Sequence, residues 1–374
     1  MADAADRAGA VLTIDLDALA ANWRRLNAEL APGVRAAAVV KADAYGLGAA
    51  EVAPRLAAAG CARFCVATLD EGIALREILP ASEIHVFSGP FAGTEPDFVA
   101  ANLVPVLNSP AQVAAWVAHA RSLGRRLPAI LHVDTGLSRL GISAEQARAF
   151  AIDNAAREAF ELVLVMSHLA IAEDPDHPLN REQLERFATI RILFPNIEAS
   201  LAASSGIFLG AGWHADWVRP GAALYGVNPT PGKPSPMAQV VHLQGRIVQV
   251  REIDAGGTVG YGATWRAARK TRLAVVAAGY ADGLLRSLSN RGGAMVGESR
   301  VPLVGRVSMD LMVFDIGALP EASLRPGDFL TLIGPGNDVD QVGAAAGTNG
   351  YEILTSLGRR YHRIWRGGRS GSHG

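Results

Sequence analysis

"AVVKADAYGLG", residues 38–48, runs an apolar strand straight up to Lys41 and then calls for a sharp turn and a helix. One βα unit of a parallel barrel presents this pattern at the mouth where such barrels keep their chemistry. An ordinary surface loop can present it too. The surrounding chain decides.

From residue 36 onward, short Val/Ile/Leu/Ala runs alternate with amphipathic segments. The predicted strands are 36–41, 63–67, 84–87, 104–107, 129–133, 162–167, 198–203 and 222–227. Between two of them, Leu184, Phe187, Ile190 and Phe194 fall on one face at helical spacing within 179–194. Eight βα units suggest the α/β class, an N-terminal (β/α)8 TIM-like barrel over residues 10–236, with an open doubly wound sheet as the competitor. "NPTPGKPSP" (228–236) has four prolines in nine residues and reads as a stiff connection. Past it, "VVHLQGRIVQVREI", "TRLAVVAAGYA", "SRVPLVGRVSMDLMVFDI" and "GDFLTLIG" are β-rich and separated by Gly-rich turns. These predict a C-terminal mainly-β domain over 237–374 that closes with helical "YEILTSLG". The early strand "AVLTIDL" (10–16) precedes the barrel and is expected to pair with that domain.

At 374 residues, two domains are the default, and 49% hydrophobic with 19% charged residues supplies a core. A net charge of −1 carries no footprint for nucleic acid. Arg359, Arg360, Arg363, Arg366 and Arg369 form the one basic cluster and read as a solvated tail. Cys61 and Cys65, four apart on a predicted strand, read as buried free thiols. The nine histidines lack metal-ligand spacing, so no metal is expected. "MADAADRAGA" has no signal-peptide pattern and no apolar run is long enough for a bilayer. The expectation is a soluble cytoplasmic protein without membrane contact.

The strand ends of the predicted barrel collect Lys41 with Tyr45, Arg139, His168, Ser204 and Ser205 in "AASSG", and Arg219 with Gly221 in "RPG". The set lacks the paired carboxylates of a glycosidase and the acidic/His cluster of a metal hydrolase. It offers a candidate nucleophilic amine, whose pKa falls when it is desolvated beside apolar strand atoms, and turns rich in N–H and hydroxyl donors. An anionic, phosphate-bearing aldehyde cofactor would need such a set.

"AVVKADAYGLG", "HVDTGLSRLG", "SHLA", "VRPGAALYGV", "VGYGAT", "GYADG", "GRVSMD" and "NGYEIL" stand in this order across nearly the whole chain, which thereby resembles the alanine racemases. The resemblance implies a barrel plus a β domain in a head-to-tail homodimer with shared active sites, acting on a small amino acid with pyridoxal 5'-phosphate. It implies that Lys41 forms the Schiff base with the cofactor and serves as the base on the D-alanine face, and that Tyr261, reaching in from the partner subunit, serves the L-alanine face. Tyr45, Ser204, Ser205, Gly221 and Tyr351 match positions around the phosphate. Arg219 matches the arginine at the ring nitrogen, with His168 hydrogen-bonded behind it. Arg139 and Met309 match substrate-carboxylate positions, and Tyr280 the second tyrosine at the substrate access. The implied product is D-alanine for peptidoglycan.

Inverting Cα needs proton-transfer groups on opposite faces, and a tyrosine with pKa about 10 needs cationic neighbours to act as one. The His168–Arg219 pair is the candidate. Two positions depart from the family pattern. Many members have a carbamylated lysine where this chain has His132, so the setting of Arg139 differs. Ser204-Ser205 replaces an Asn-Ser pair and retains a hydroxyl. A broader-specificity amino-acid racemase and a non-catalytic PLP-binding protein are the alternatives. The latter resemble only the barrel.

Overall fold

The computed structural model describes residues 4–367; Arg369 and all but the first residue of "GGRSGSHG" lie outside them. The barrel strands are Arg63–Val66, Glu83–Val86, Val104–Leu107, Pro128–His132, Glu161–Met166, Glu198–Ala203 and Trp217–Arg219, each parallel to the next. Residues 35–39 close the ring. Arg35–Ala36 pairs with Trp217–Arg219, and Ala38–Val39 pairs with Arg63–Val66. Ala37 N–H donates to Val218 O at 2.9 Å, and Val40 N–H to Cys65 O at 2.9 Å. A ring bonded on both edges is the barrel, so the open sheet is excluded.

Two predicted strands need correction. The first ends at Val39, so Lys41 stands past its end. The eighth is Trp217–Arg219, and Ala222–Tyr225 is a single 3-10 turn. That turn is apolar because it is buried beneath the helix Leu16–Ala28, where Asn22 Nδ2 donates to Leu224 O at 3.1 Å. Apolar composition alone cannot tell such a plug from a core strand. Phe187 and Ile190 are buried on the helix Pro178–Arg191; Phe194 packs just beyond its end. Cys61 precedes its strand and Cys65 lies on it, both buried and free.

The second unit is built on one long strand, Val241–Ile253, which pairs antiparallel with Ala10–Asp15, Thr271–Val276 and Phe329–Ile333. Its first seven residues alternate between buried and less buried positions, the period-two signature of a half-covered sheet. Ala10–Asp15 ends on Asp15, whose carboxylate accepts from Asp17 N–H and Ala18 N–H and caps the helix Leu16–Ala28. One residue thus hands the chain from the β unit to the barrel. "YEILTSLG" contributes to the helix Gly350–Ser356 but does not close the fold; His362–Arg366 follows and pairs parallel with Ala10–Asp15. Two members of the basic cluster, Arg360 and Arg363, are therefore tied into the fold. Arg360 Nε and Nη1 bind Asp282 and Asp310 at 3.0 and 2.7 Å, and Arg363 Nη1 donates to Gly46 O at 2.6 Å.

Candidate active site

The segment after Lys41 does not turn as a right-handed helix. Ala42, Asp43, Ala44 and Tyr45 all have φ between 53° and 56°. Left-handed helical backbone costs an L-residue roughly 1–2 kcal/mol, so the four together need support. Ala42 N–H donates to Glu71 Oε1, Ala49 N–H to Asp43 Oδ1, and Trp365 Nε1–H to Leu47 O at 2.7, 2.7 and 2.8 Å. With Arg363 on Gly46 O, the β unit holds the far end of the turn while the barrel holds its start. Ala44 and Tyr45 are buried; Lys41 is half-buried at the cavity wall. Burial, then the Arg139 charge, lowers the Lys41 pKa; Glu71 opposes them.

Arg219 lies 4% exposed at the end of its strand. It donates from Nη1 to Ser200 Oγ and from Nη2 to Ser167 O at 2.6 Å and to His168 Nδ1 at 3.3 Å. Burial pulls its pKa down to about 10, which still leaves it charged at neutral pH. Because Nδ1 of His168 accepts, that imidazole is neutral with its hydrogen on Nε2; burial, then the charge of Arg219, lowers its pKa to about 3. The expected cationic His168–Arg219 pair is one cation with a neutral neighbour. His132 is neutral as well, its pKa lowered to about 4 by burial and then Arg219 and Arg139.

These side chains face one cavity of about 840 Å3 at the C-terminal mouth of the barrel. Lys41, Tyr45, Arg139, His168, Ser204, Ser205, Arg219, Gly221 and Tyr351 all line it. Tyr45 packs its ring 4.7 Å from Tyr225 and 6.3 Å from Tyr351, and burial raises its pKa, so it is a hydroxyl donor. A Cβ at Gly221 would overlap the Tyr45 hydroxyl, so the glycine is what admits the tyrosine. Ser204 Oγ accepts from Gly221 N–H at 3.0 Å and Ala223 N–H at 3.2 Å, tying the "SSG" and "RPG" turns together.

Tyr261, Tyr280 and Met309 are not in this cavity. They stand exposed on the β unit, where Tyr280 N–H donates to Ser308 O and Ala281 N–H to Met309 O, both at 3.0 Å. Reading strand ends also missed Asn108, which follows Val104–Leu107 and binds His132. Its signal was a polar residue directly after four apolar ones, masked by the "NSP" that starts the next helix.

The residues present fit a phosphorylated aldehyde. Lys41, Arg139 and Arg219 form no ion pair among the described residues, so the mouth holds excess positive charge. Two one-turn helices, Ser204–Ile207 and Ala222–Tyr225, begin at its wall, and a helix start suits an anion. Lys41 supplies the amine.

Comparison with known proteins agrees with this reading. Residues 14–229 match the family model "Alanine racemase, N-terminal domain", and residues 240–365 match "Alanine racemase, C-terminal domain". The chain is 51% identical to an alanine racemase of Rhodospirillum rubrum, with 98% of each chain covered. It is 50% identical to a catabolic alanine racemase of Mesorhizobium japonicum, covering 96% of this chain and 94% of that one. It superposes on the crystal structure of alanine racemase from Bartonella henselae with covalently bound pyridoxal phosphate at a TM-score of 0.92 and 39% identity, covering 96% of this chain and 100% of that one.

Proposed function

The chain belongs to the alanine racemase family and interconverts L- and D-alanine with pyridoxal 5'-phosphate, and from that premise we propose that Lys41 and Tyr261 of the partner subunit are its two proton-transfer groups. The observation that carries the proposal is the separation just described: Lys41 lies at the cavity wall, whereas Tyr261 is 73% exposed on the β unit of the same chain. An aromatic so exposed beside Tyr280 and Met309 suits a face that a second subunit covers. Head-to-tail pairing would bring that face to the partner's barrel mouth and give each site one residue set from each subunit.

When bound, pyridoxal phosphate supplies an electrophilic carbonyl and a conjugated ring that spreads the charge left as a Cα–H bond breaks. The residues supply the rest. Lys41, with its lowered pKa, holds and moves a proton at Nζ on one face of Cα. The hydroxyl of Tyr261 of the partner subunit does so on the other face, as inversion requires. Arg219 would hold the ring nitrogen, and because a guanidinium keeps its own protons it would leave that nitrogen unprotonated and the electron sink moderate. This limits side reactions. Tyr45, Tyr351, Ser204, Ser205 and Gly221 would hold the phosphate, and Arg139 with Met309 of the partner subunit would meet the substrate carboxylate.

We assign the enzyme to cytoplasmic supply of D-alanine for peptidoglycan; no described helix is long and apolar enough to cross a membrane. The catabolic name of the Mesorhizobium japonicum relative favours alanine breakdown as a second reading. Deleting the gene separates them: a D-alanine requirement supports the first, and lost growth on alanine the second. The shared site is tested by mixing Lys41→Ala and Tyr261→Phe proteins, each expected to be nearly inactive. Subunit exchange should restore activity, because one of the two hybrid sites then has both groups. No recovery despite demonstrated exchange would place the tyrosine in its own subunit's site or outside the reaction.

A further inference from the structure

We propose that His132 is a positioning residue: a neutral imidazole, locked by Asn108, whose Nε2 lone pair receives an N–H of Arg139 and sets that arginine for the substrate carboxylate. The role of Arg139 rests on the racemase reading; the lock rests on the structure alone. Asn108 Nδ2 donates to Phe87 O and Val106 O, both at 2.9 Å. With both amide hydrogens spent, its Oδ1 faces His132 Nδ1 at 2.8 Å. An amide oxygen only accepts, so Nδ1 carries the hydrogen and Nε2 is left as an acceptor. Nε2 has no partner among the described residues, and the ring, 7% exposed, lines the cavity.

The chain leaves and returns at this residue. Ile142 N–H donates to His132 O at 2.9 Å, closing the loop that carries Arg139. The carboxylate in that loop is tied to the loop's own backbone: Asp134 Oδ1 accepts from Gly136, Leu137 and Ser138 N–H at 2.9 to 3.1 Å. Arg139 itself has no hydrogen bond or ion pair among the described residues. His132 is therefore the neutral acceptor available at the root of the loop. The groups that face it are Arg219 from the last strand, Arg139 and Asp134 from the loop, and neutral His168 from the neighbouring strand. A neutral acceptor orients the guanidinium and leaves its charge free.

The test pairs kinetics with 15N NMR of the histidine rings in the holoenzyme. His132→Phe should raise KM for both alanine enantiomers about tenfold, the cost of one hydrogen bond to a charged group, while kcat changes far less. His132→Gln, which restores an acceptor, should recover most of that loss. Asn108→Asp should favour protonation of the ring and make KM rise as the pH falls below about 6.5, a limb the parent enzyme lacks. The His132 resonances should show hydrogen on Nδ1 and none on Nε2 at pH 7. An Nε2–H tautomer, an unchanged KM in His132→Phe, or a loss that Gln does not rescue would overturn the proposal. If the parent enzyme failed to racemise alanine, the functional reading would fall instead, and the tautomer would still judge the lock.

Discussion

At the N-terminal mouth of the barrel, Arg63 and Arg35 lie over the Trp217 ring, 3.5 and 4.1 Å from its centroid. Arg63 pairs with Glu83 at 2.7 Å, Arg35 with Glu198, and His85 with Glu83 at 2.5 Å, while Trp217 Nε1–H donates to Glu198 Oε2 at 2.5 Å. At the C-terminal mouth, Lys41, Arg139, Arg219, His132 and His168 include the same residue types, yet none pairs with a carboxylate among the described residues. Both mouths are rich in cations. One answers each cation internally and is a clamp; the other leaves the answer to a ligand. A buried or half-buried charge without a partner costs stability, so its retention marks function.

Substituting one cation at each mouth should separate the two roles. Lys41→Ala is expected to reduce racemisation by about 10³-fold or more while stability stays within about 0.5 kcal/mol, since no ion pair is broken. Arg63→Ala should do the opposite. It strips Glu83 of its arginine and Trp217 of a stacked guanidinium, costing about 3 kcal/mol, and leaves the activity of the folded fraction intact. Urea unfolding beside an activity assay reads both. Equal stability losses at the two mouths would break the contrast.

The reach of the sequence follows the same division. Lys41, Arg219 and the "SSG" turn were legible because a polar residue after an apolar strand is locally conspicuous. The Arg63–Trp217–Arg35 stack was not, because it joins three strand starts far apart in the chain. Ala222–Tyr225 outscored Trp217–Arg219 as a strand because the true strand is three residues long and ends in arginine. His168 was expected to carry charge, but the burial and neighbouring guanidinium that keep it neutral exist only in the fold. The handedness of the turn after Lys41 was invisible for a different reason. Of Ala42, Asp43, Ala44 and Tyr45, only Asp has any local leaning toward such a conformation.

Acid should weaken both mouths: burial lowers the pKa of His85 at one as it does that of His132 at the other, and Glu83 adds a lower window to the first. The folded pKa of His132 is about 4, below the ordinary 6.5. As pH falls past 6.5 the unfolded chain takes up a proton that the folded one refuses, so stability declines by about 1.4 kcal/mol per pH unit until pH nears 4. His168, at about 3, adds an equal slope over the same range and carries it lower. Burial alone would raise the Glu83 pKa, but His85 and then Arg63 hold it below the usual carboxylate range. Its contribution is therefore complete above pH about 4.5 and lost as pH drops through the folded value. His132→Gln should make the stability curve shallower between pH 6 and 4.5, and Glu83→Gln should change it mainly at lower pH. Urea midpoints at half-unit pH steps would show whether the windows are distinct.

The smallest expected effect concerns strain, which the active mouth concentrates in the turn after Lys41. Ala42 has φ 54° with an exposed side chain, so glycine there relieves the left-handed penalty and removes little packing. The relief of roughly 1–2 kcal/mol is partly offset by the extra freedom of an unfolded glycine, about 0.5–1 kcal/mol. Ala42→Gly should thus stabilise the protein by about 0.5–1 kcal/mol. The same freedom loosens the residue next to Lys41, and kcat should fall about twofold as Nζ is held less tightly. A gain in stability with no loss in rate would mean that Glu71, on the Ala42 amide, and the β unit, on Gly46 and Leu47, already hold the lysine without the alanine. A loss of stability would mean the turn is held in a relaxed state, and the contrast between a strained mouth and a satisfied one would reduce to charge alone.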